Sequence, residues 1–136
     1  MYKTILVPVD LAHTERCQPM IEVARKLGGE GSRIILLYVE EQVPNWIASE
    51  LPAGILEKSS ESAHSELKAM ANAAALKADV EIRSGHSHNT ILSVADEMDA
   101  DLIVIASHKP GLQDYFLGST AARVVRHAGC SVLVVR

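Results

Sequence analysis

Short apolar runs alternate along this chain with stretches whose apolar residues recur at helical spacing. The first run, Thr4-Ile5-Leu6-Val7-Pro8-Val9-Asp10, stays apolar until its closing acid and reads as a strand buried on both faces. Over residues 14–27, Met20, Ile21, Val23, Ala24 and Leu27 fall on one side of a helix, and Gly28-Gly29 stops it. Residues 33–39 form a second apolar strand. Residues 40–54 hold Pro44, Trp46 and Pro52 and predict a loop, long enough to suggest function or motion. The proline-free, Ala- and Glu-rich stretch 55–77 predicts a long helix. Residues 79–83 alternate and read as a strand nearer an edge, ended by Gly85. A short helix is expected over 89–98, capped by Ser87 or Asn89. A buried strand follows at 101–106, then a loop at 107–117. Residues 119–127 predict a helix, with Gly129 just past it where a left-handed residue is needed, and residues 131–135 the last strand.

The order is βαβαβαβαβ. Right-handed crossovers turn that order into an α/β fold, an open parallel sheet with helices on both faces. A length of 136 residues fits a single domain spanning 1–136, and 48% hydrophobic residues can build a core without disulfides or metal. Aromatics make up only 4%, so Val, Ile, Leu and Ala must do the packing, which suits helices on a parallel sheet.

The formal net charge of −4, with no basic run, argues against nucleic acid or an anionic membrane surface as partner. No apolar run approaches the ~20 residues that span a bilayer, and the opening residues lack the order of a secretory leader. Cys17 and Cys130 are far apart and in no metal-like spacing, which points to a reducing, cytoplasmic compartment and to packed thiols. His86-Ser87-His88 lacks the cysteines or carboxylates that would complete a metal site, so no metal ligand is assigned. No nucleophile elbow or Walker-type loop is present, and no catalytic residue is assigned.

Open α/β sheets bind ligands outside the carboxyl ends of the strands, where strand order reverses. If the chain winds first one way and then the other, the reversal lies between the first and fourth strands. Pro8, Val9 and Asp10 then face Ala106, Ser107 and His108. Asp10 is read two ways: as an acceptor for ribose hydroxyls or an adenine amine, or as a cap of the following turn or helix. Gly118-Ser119-Thr120 opens the last helix, with a close-approach glycine, free amides and the positive end of the dipole; its alternative reading is an ordinary cap. Lys109 would bring positive charge to the same crevice.

These residues resemble the universal stress protein family, from Ile5-Leu6-Val7-Pro8-Val9-Asp10 through to Ser131-Val132-Leu133-Val134-Val135. The most specific part is Ile105-Ala106-Ser107-His108-Lys109-Pro110, then Leu117-Gly118-Ser119-Thr120-Ala121-Ala122 and Val124-Val125-Arg126-His127. The likeness is to the shorter-loop subgroup with a Ser-His-basic-Pro segment. It implies a five-stranded Rossmann-like sheet of the adenine nucleotide alpha hydrolase type, order 3-2-1-4-5. It also implies a cytoplasmic, stress-induced homodimer pairing through 131–135, with a tetramer as a further assembly.

Many members bind ATP, through Gly-x-x-Gly, nine residues and then Gly-Ser or Gly-Thr. This sequence keeps Gly118-Ser119, has Ala106 and Lys109 in place of the two glycines, and has eight residues between Lys109 and Gly118. Gly111 is placed to return some of the lost flexibility. By position, the resemblance gives Pro8, Asp10 and Val39 to adenine. It gives Ala106, Ser107, His108, Lys109, Gly118, Ser119 and Thr120 to ribose and phosphates. The leading expectation is a dimeric stress-response module that binds ATP or AMP, with magnesium accompanying ATP. The alternatives are a dimeric interaction protein with a vestigial pocket and a slow ATPase or self-modifying kinase.

Overall fold

The structure is a computed structural model that describes residues 1–107 and 117–136. Five parallel strands, β1 (Thr4–Pro8), β2 (Arg33–Glu40), β3 (Asp79–Ser84), β4 (Leu102–Ala106) and β5 (Ser131–Val135), form one sheet in the order β3-β2-β1-β4-β5. The helices are α1 (Cys17–Gly28), α2 (Asn45–Ala48), α3 (Ile55–Ala73), α4 (Ser87–Glu97) and α5 (Ser119–His127).

The pleat divides the core in two. Ile5 and Val7 of β1 turn to one face with Ile34, Leu36, Leu102 and Val104, and are covered by Met20, Ile21 and Ala24 of α1 and Leu67 and Ala71 of α3. Leu6 turns to the other face with Ile35, Leu37, Ile103 and Ile105, under Ile91 and Val94 of α4 and Ala121 and Val124 of α5. That alternation explains why β1, β2 and β4 read as unbroken apolar runs: both pleats meet a helix layer. Edge strands β3 and β5 are only partly buried. Among the described residues, no helix is long and apolar enough to cross a membrane.

Strand ends fall within one or two residues of the sequence expectation, and the larger departures are in and around the helices. Residues 14–16 form a single 3-10 turn, and α1 starts only at Cys17. The stretch expected as a plain loop holds α2, with Pro44 at its cap, where the fixed φ suits a helix entrance. The long third helix stops at Ala73, not residue 77, because Ala75 turns left-handed (φ 51°) and Leu76 N–H closes back on the Ala71 carbonyl at 2.8 Å. Helix α4 starts two residues early, with His86 at the cap and no side-chain cap bond from either expected residue. Helix α5 ends without a left-handed residue: Ala128 is extended (φ −66°, ψ 139°), and Gly129 has no positive φ.

Candidate functional site

The two central strands part company toward their carboxyl ends. The β1–β4 ladder reaches only Leu6 opposite Ile103. On the far side, β1 stays paired with β2 to Pro8 opposite Leu37, and Val9 N–H donates to the Leu37 carbonyl at 2.8 Å. Strand β4 likewise stays with β5 to Ala106 opposite Val135, and Ser107 N–H donates to the Val135 carbonyl at 2.9 Å. Each central strand is held by its outer neighbour, and a cleft opens between them at the topological switch point.

That cleft has a volume of about 430 Å³, within the range of small-molecule sites. Pro8, Val9, Asp10, Val39, Ala106, Ser107 and Thr120 line it together. Gly118 and Ser119 sit beside Thr120 but outside the lining; Gly118 is the buried residue at the head of α5 and Ser119 is exposed. The expected site residues His108, Lys109 and Gly111 lie outside the described residues.

The Asp10 side chain caps the turn that follows β1. Its Oδ1 accepts the Ala12 amide at 2.9 Å, an Asx-type turn that fixes the chain leaving β1. Its Oδ2 accepts no hydrogen bond among the described residues, and Asp10 lines the cleft. Tyr38, also in the wall, has its phenol pushed above the ordinary value, first by burial and then by the carboxylates of Glu40 and Asp10. Glu41 completes an acidic wall on the β1–β2 side.

Arg16 lies in the opposite sense. It caps α1, lines the cleft and donates from Nη1 to the Ser107 carbonyl at 2.9 Å. Its Nη2 is buried with no partner among the described residues. Sequence reasoning passed over Arg16 by treating it as one more residue of a helix begun at Thr14. The available signal was a cation next to a helix amino end, where the dipole disfavours it.

Other features are less suited to chemistry. Cys17 is a packed thiol, pushed up to about 11 chiefly by burial, so it is not a thiolate nucleophile at neutral pH. A hollow of about 700 Å³ between α4 and α5 collects His88, Arg123, Arg126 and His127, but only helix residues line it and no strand end enters. There the His88 imidazole is held below its ordinary value, first by desolvation and then by Arg123. Among the described residues, no three His, Cys, Asp or Glu side chains gather as metal ligands.

Comparison with known proteins places this geometry in context. The profile of the Universal stress protein family matches residues 1–136. Universal stress protein G of Salmonella typhimurium is 32% identical over 142 aligned positions, covering 100% of both chains. A universal stress protein solved in complex with cAMP superposes with a TM-score of 0.71 at 22% identity, over 99% of this chain and 97% of that one. An Arabidopsis thaliana universal stress protein family member with AMP bound gives a TM-score of 0.64 at 14% identity, over 98% of this chain and 90% of the other.

Proposed function

This chain belongs to the universal stress protein family, and from that membership we propose that its cleft binds an adenine nucleotide, AMP or ATP, and that the nucleotide sets the state of a dimeric stress-response module. The observation that carries the reading is the opening of β1 from β4 beyond Leu6 and Ile103, with Asp10 on one lip and Ser107 and Thr120 on the other. The acidic, partly apolar β1–β2 wall suits a base and sugar that donate hydrogen bonds. The side formed by Arg16, Ser107 and the amino end of α5 suits the phosphates. Pro8, Val9, Asp10 and Val39 would hold the nucleoside; Ala106, Ser107, Thr120 and the Gly118-Ser119 turn would hold the phosphate end, with His108, Lys109 and Gly111 following Ser107 in the chain. Magnesium would accompany ATP. The family neighbours solved with AMP and with cAMP lend support at the level of ligand class.

The dimer would form through β5, an edge strand that keeps Leu133 at 36% exposure, beside α5 with Val125 at 46%. A second reading, an interaction protein with a vestigial pocket, is favoured by Ala106 and Lys109 at the two positions where the family resemblance leads one to expect glycine. Mass spectrometry of small molecules released from the natively purified protein separates the two. The nucleotide reading expects a stoichiometric adenine compound; a protein that emerges without one and shows no thermal shift with AMP or ATP sinks it.

A further inference from the structure

We infer that Arg16 is the phosphate-recognising side chain of the cleft, contributed from α1, outside the loop that follows β4. This rests on the adenine-nucleotide reading above and adds the residue that would make the site select nucleotides over nucleosides.

Three independent observations meet on this side chain. The first is its location: it lines the cleft and reaches across ninety-one positions of sequence to the Ser107 carbonyl. The second is its unspent bonding capacity. One arm of the guanidinium, Nη1, is committed to Ser107, while Nη2 is buried and unpaired among the described residues. A desolvated donor left without an acceptor is destabilising, and a ligand oxygen would relieve it. The third is the field around it. Arg16 stands at the cap of α1, where the helix dipole repels a cation, and among the described residues it has no ion-pair partner. A cation at a helix amino end, with one arm anchored and the other unpaired, is complementary to an anion.

The chemistry narrows the class of anion. A guanidinium pinned by Ser107 has lost much of its rotamer freedom before the ligand arrives, so the cost of ordering it is already met in the free protein. The other ionisable side chains lining the cleft are the Tyr38 phenol, which is raised and so neutral at physiological pH, and the carboxylates Asp10 and Glu41. The two carboxylates would repel an anion on their side and leave it to the Arg16–Ser107–Thr120 side. A phosphomonoester, with several acceptor oxygens and up to two negative charges, meets both the unpaired donor and the positive charge. A neutral nucleoside meets neither.

The test uses the full chain and isothermal titration with AMP and with adenosine, on the wild type, Arg16→Met and Arg16→Lys. The expected result is AMP binding about tenfold or more tighter than adenosine in the wild type. Arg16→Met should bring AMP down to the adenosine level while adenosine affinity stays put, and Arg16→Lys should recover part of the gap. Retained adenosine binding shows that the variant cleft is folded. Equal weakening of both ligands in both variants would show that Arg16 only shapes the loop through Ser107, and an unchanged AMP affinity would remove it from recognition; either overturns this inference while the nucleotide reading stands. A wild type that binds neither ligand overturns the nucleotide reading itself.

Discussion

Asp101 and Thr4 lock together at the amino ends of the two central strands: the Asp101 carboxylate accepts the Thr4 amide at 2.9 Å, and the Asp101 amide donates to the Thr4 carbonyl at 3.0 Å. Its second oxygen accepts the Lys3 amide at 2.9 Å. The clamp fixes the closed end of the β1–β4 pair, and the cleft opens at the other end.

This clamp makes stability depend on pH with a definite sign. The amide of Lys3 leads in holding the Asp101 carboxyl below its ordinary value, and the amide of Thr4 adds to it. A carboxyl that is more acidic folded than unfolded contributes stability above its unfolded value and loses it as pH falls through the folded one. Asp101→Ala should cost about 1–2 kcal/mol near neutral pH. The difference from wild type should shrink in urea titrations carried below the ordinary carboxylate range. A difference that is constant down that range would exclude the clamp.

The end of α3 offers a stabilising change. Ala75 carries a Cβ at φ 51°, a conformation that disfavours L-residues other than glycine. Ala75→Gly relieves that contact but loosens the unfolded chain, and the net expected gain is about 0.5–1 kcal/mol. Equilibrium denaturation measures it directly, and a loss of stability would contradict the strain argument.

Thr120 separates the fold from the ligand. It is the second residue of α5 and lines the cleft. An acid in a first helical turn is favourable by about 0.3–1 kcal/mol, so Thr120→Asp should keep or raise the melting temperature. The same charge faces the proposed phosphate, and AMP affinity should fall by about tenfold or more. Unchanged AMP affinity in a stable variant would move the phosphate away from α5.

The β5 edge is tested by Leu133→Lys. The side chain is already 36% exposed in the monomer, so folding should survive the change. A lysine on an edge strand blocks strand-edge association. Light scattering should find a dimer for the wild type and a monomer for the variant; a variant that remains dimeric would place the contact elsewhere.

How legible these features were in the sequence follows from the range of the forces involved. The three central strands announced themselves because burial on both faces demands unbroken apolar runs, and the glycine pair at 28–29 marked the end of α1 for a local reason: Gly29 is left-handed (φ 71°). Ala75 gave no such warning, since alanine is the best helix former and its left-handed turn is imposed by the packing of Leu76 and Ala78 against the core. Pro8, Asp10, Ala106 and Ser107 could be nominated from topology alone. Arg16 could not, because its role depends on a contact between residues ninety-one apart; a cation beside a helix amino end was the one local hint, and it does not encode where the side chain ends.

The central claim is that the cleft between β1 and β4 holds an adenine nucleotide. Equilibrium dialysis of the wild-type chain against labelled AMP tests it most directly. The account predicts saturation at one AMP per chain, with unlabelled ATP competing for the same site. Absence of retained label at millimolar AMP, from a protein that is folded, would contradict it.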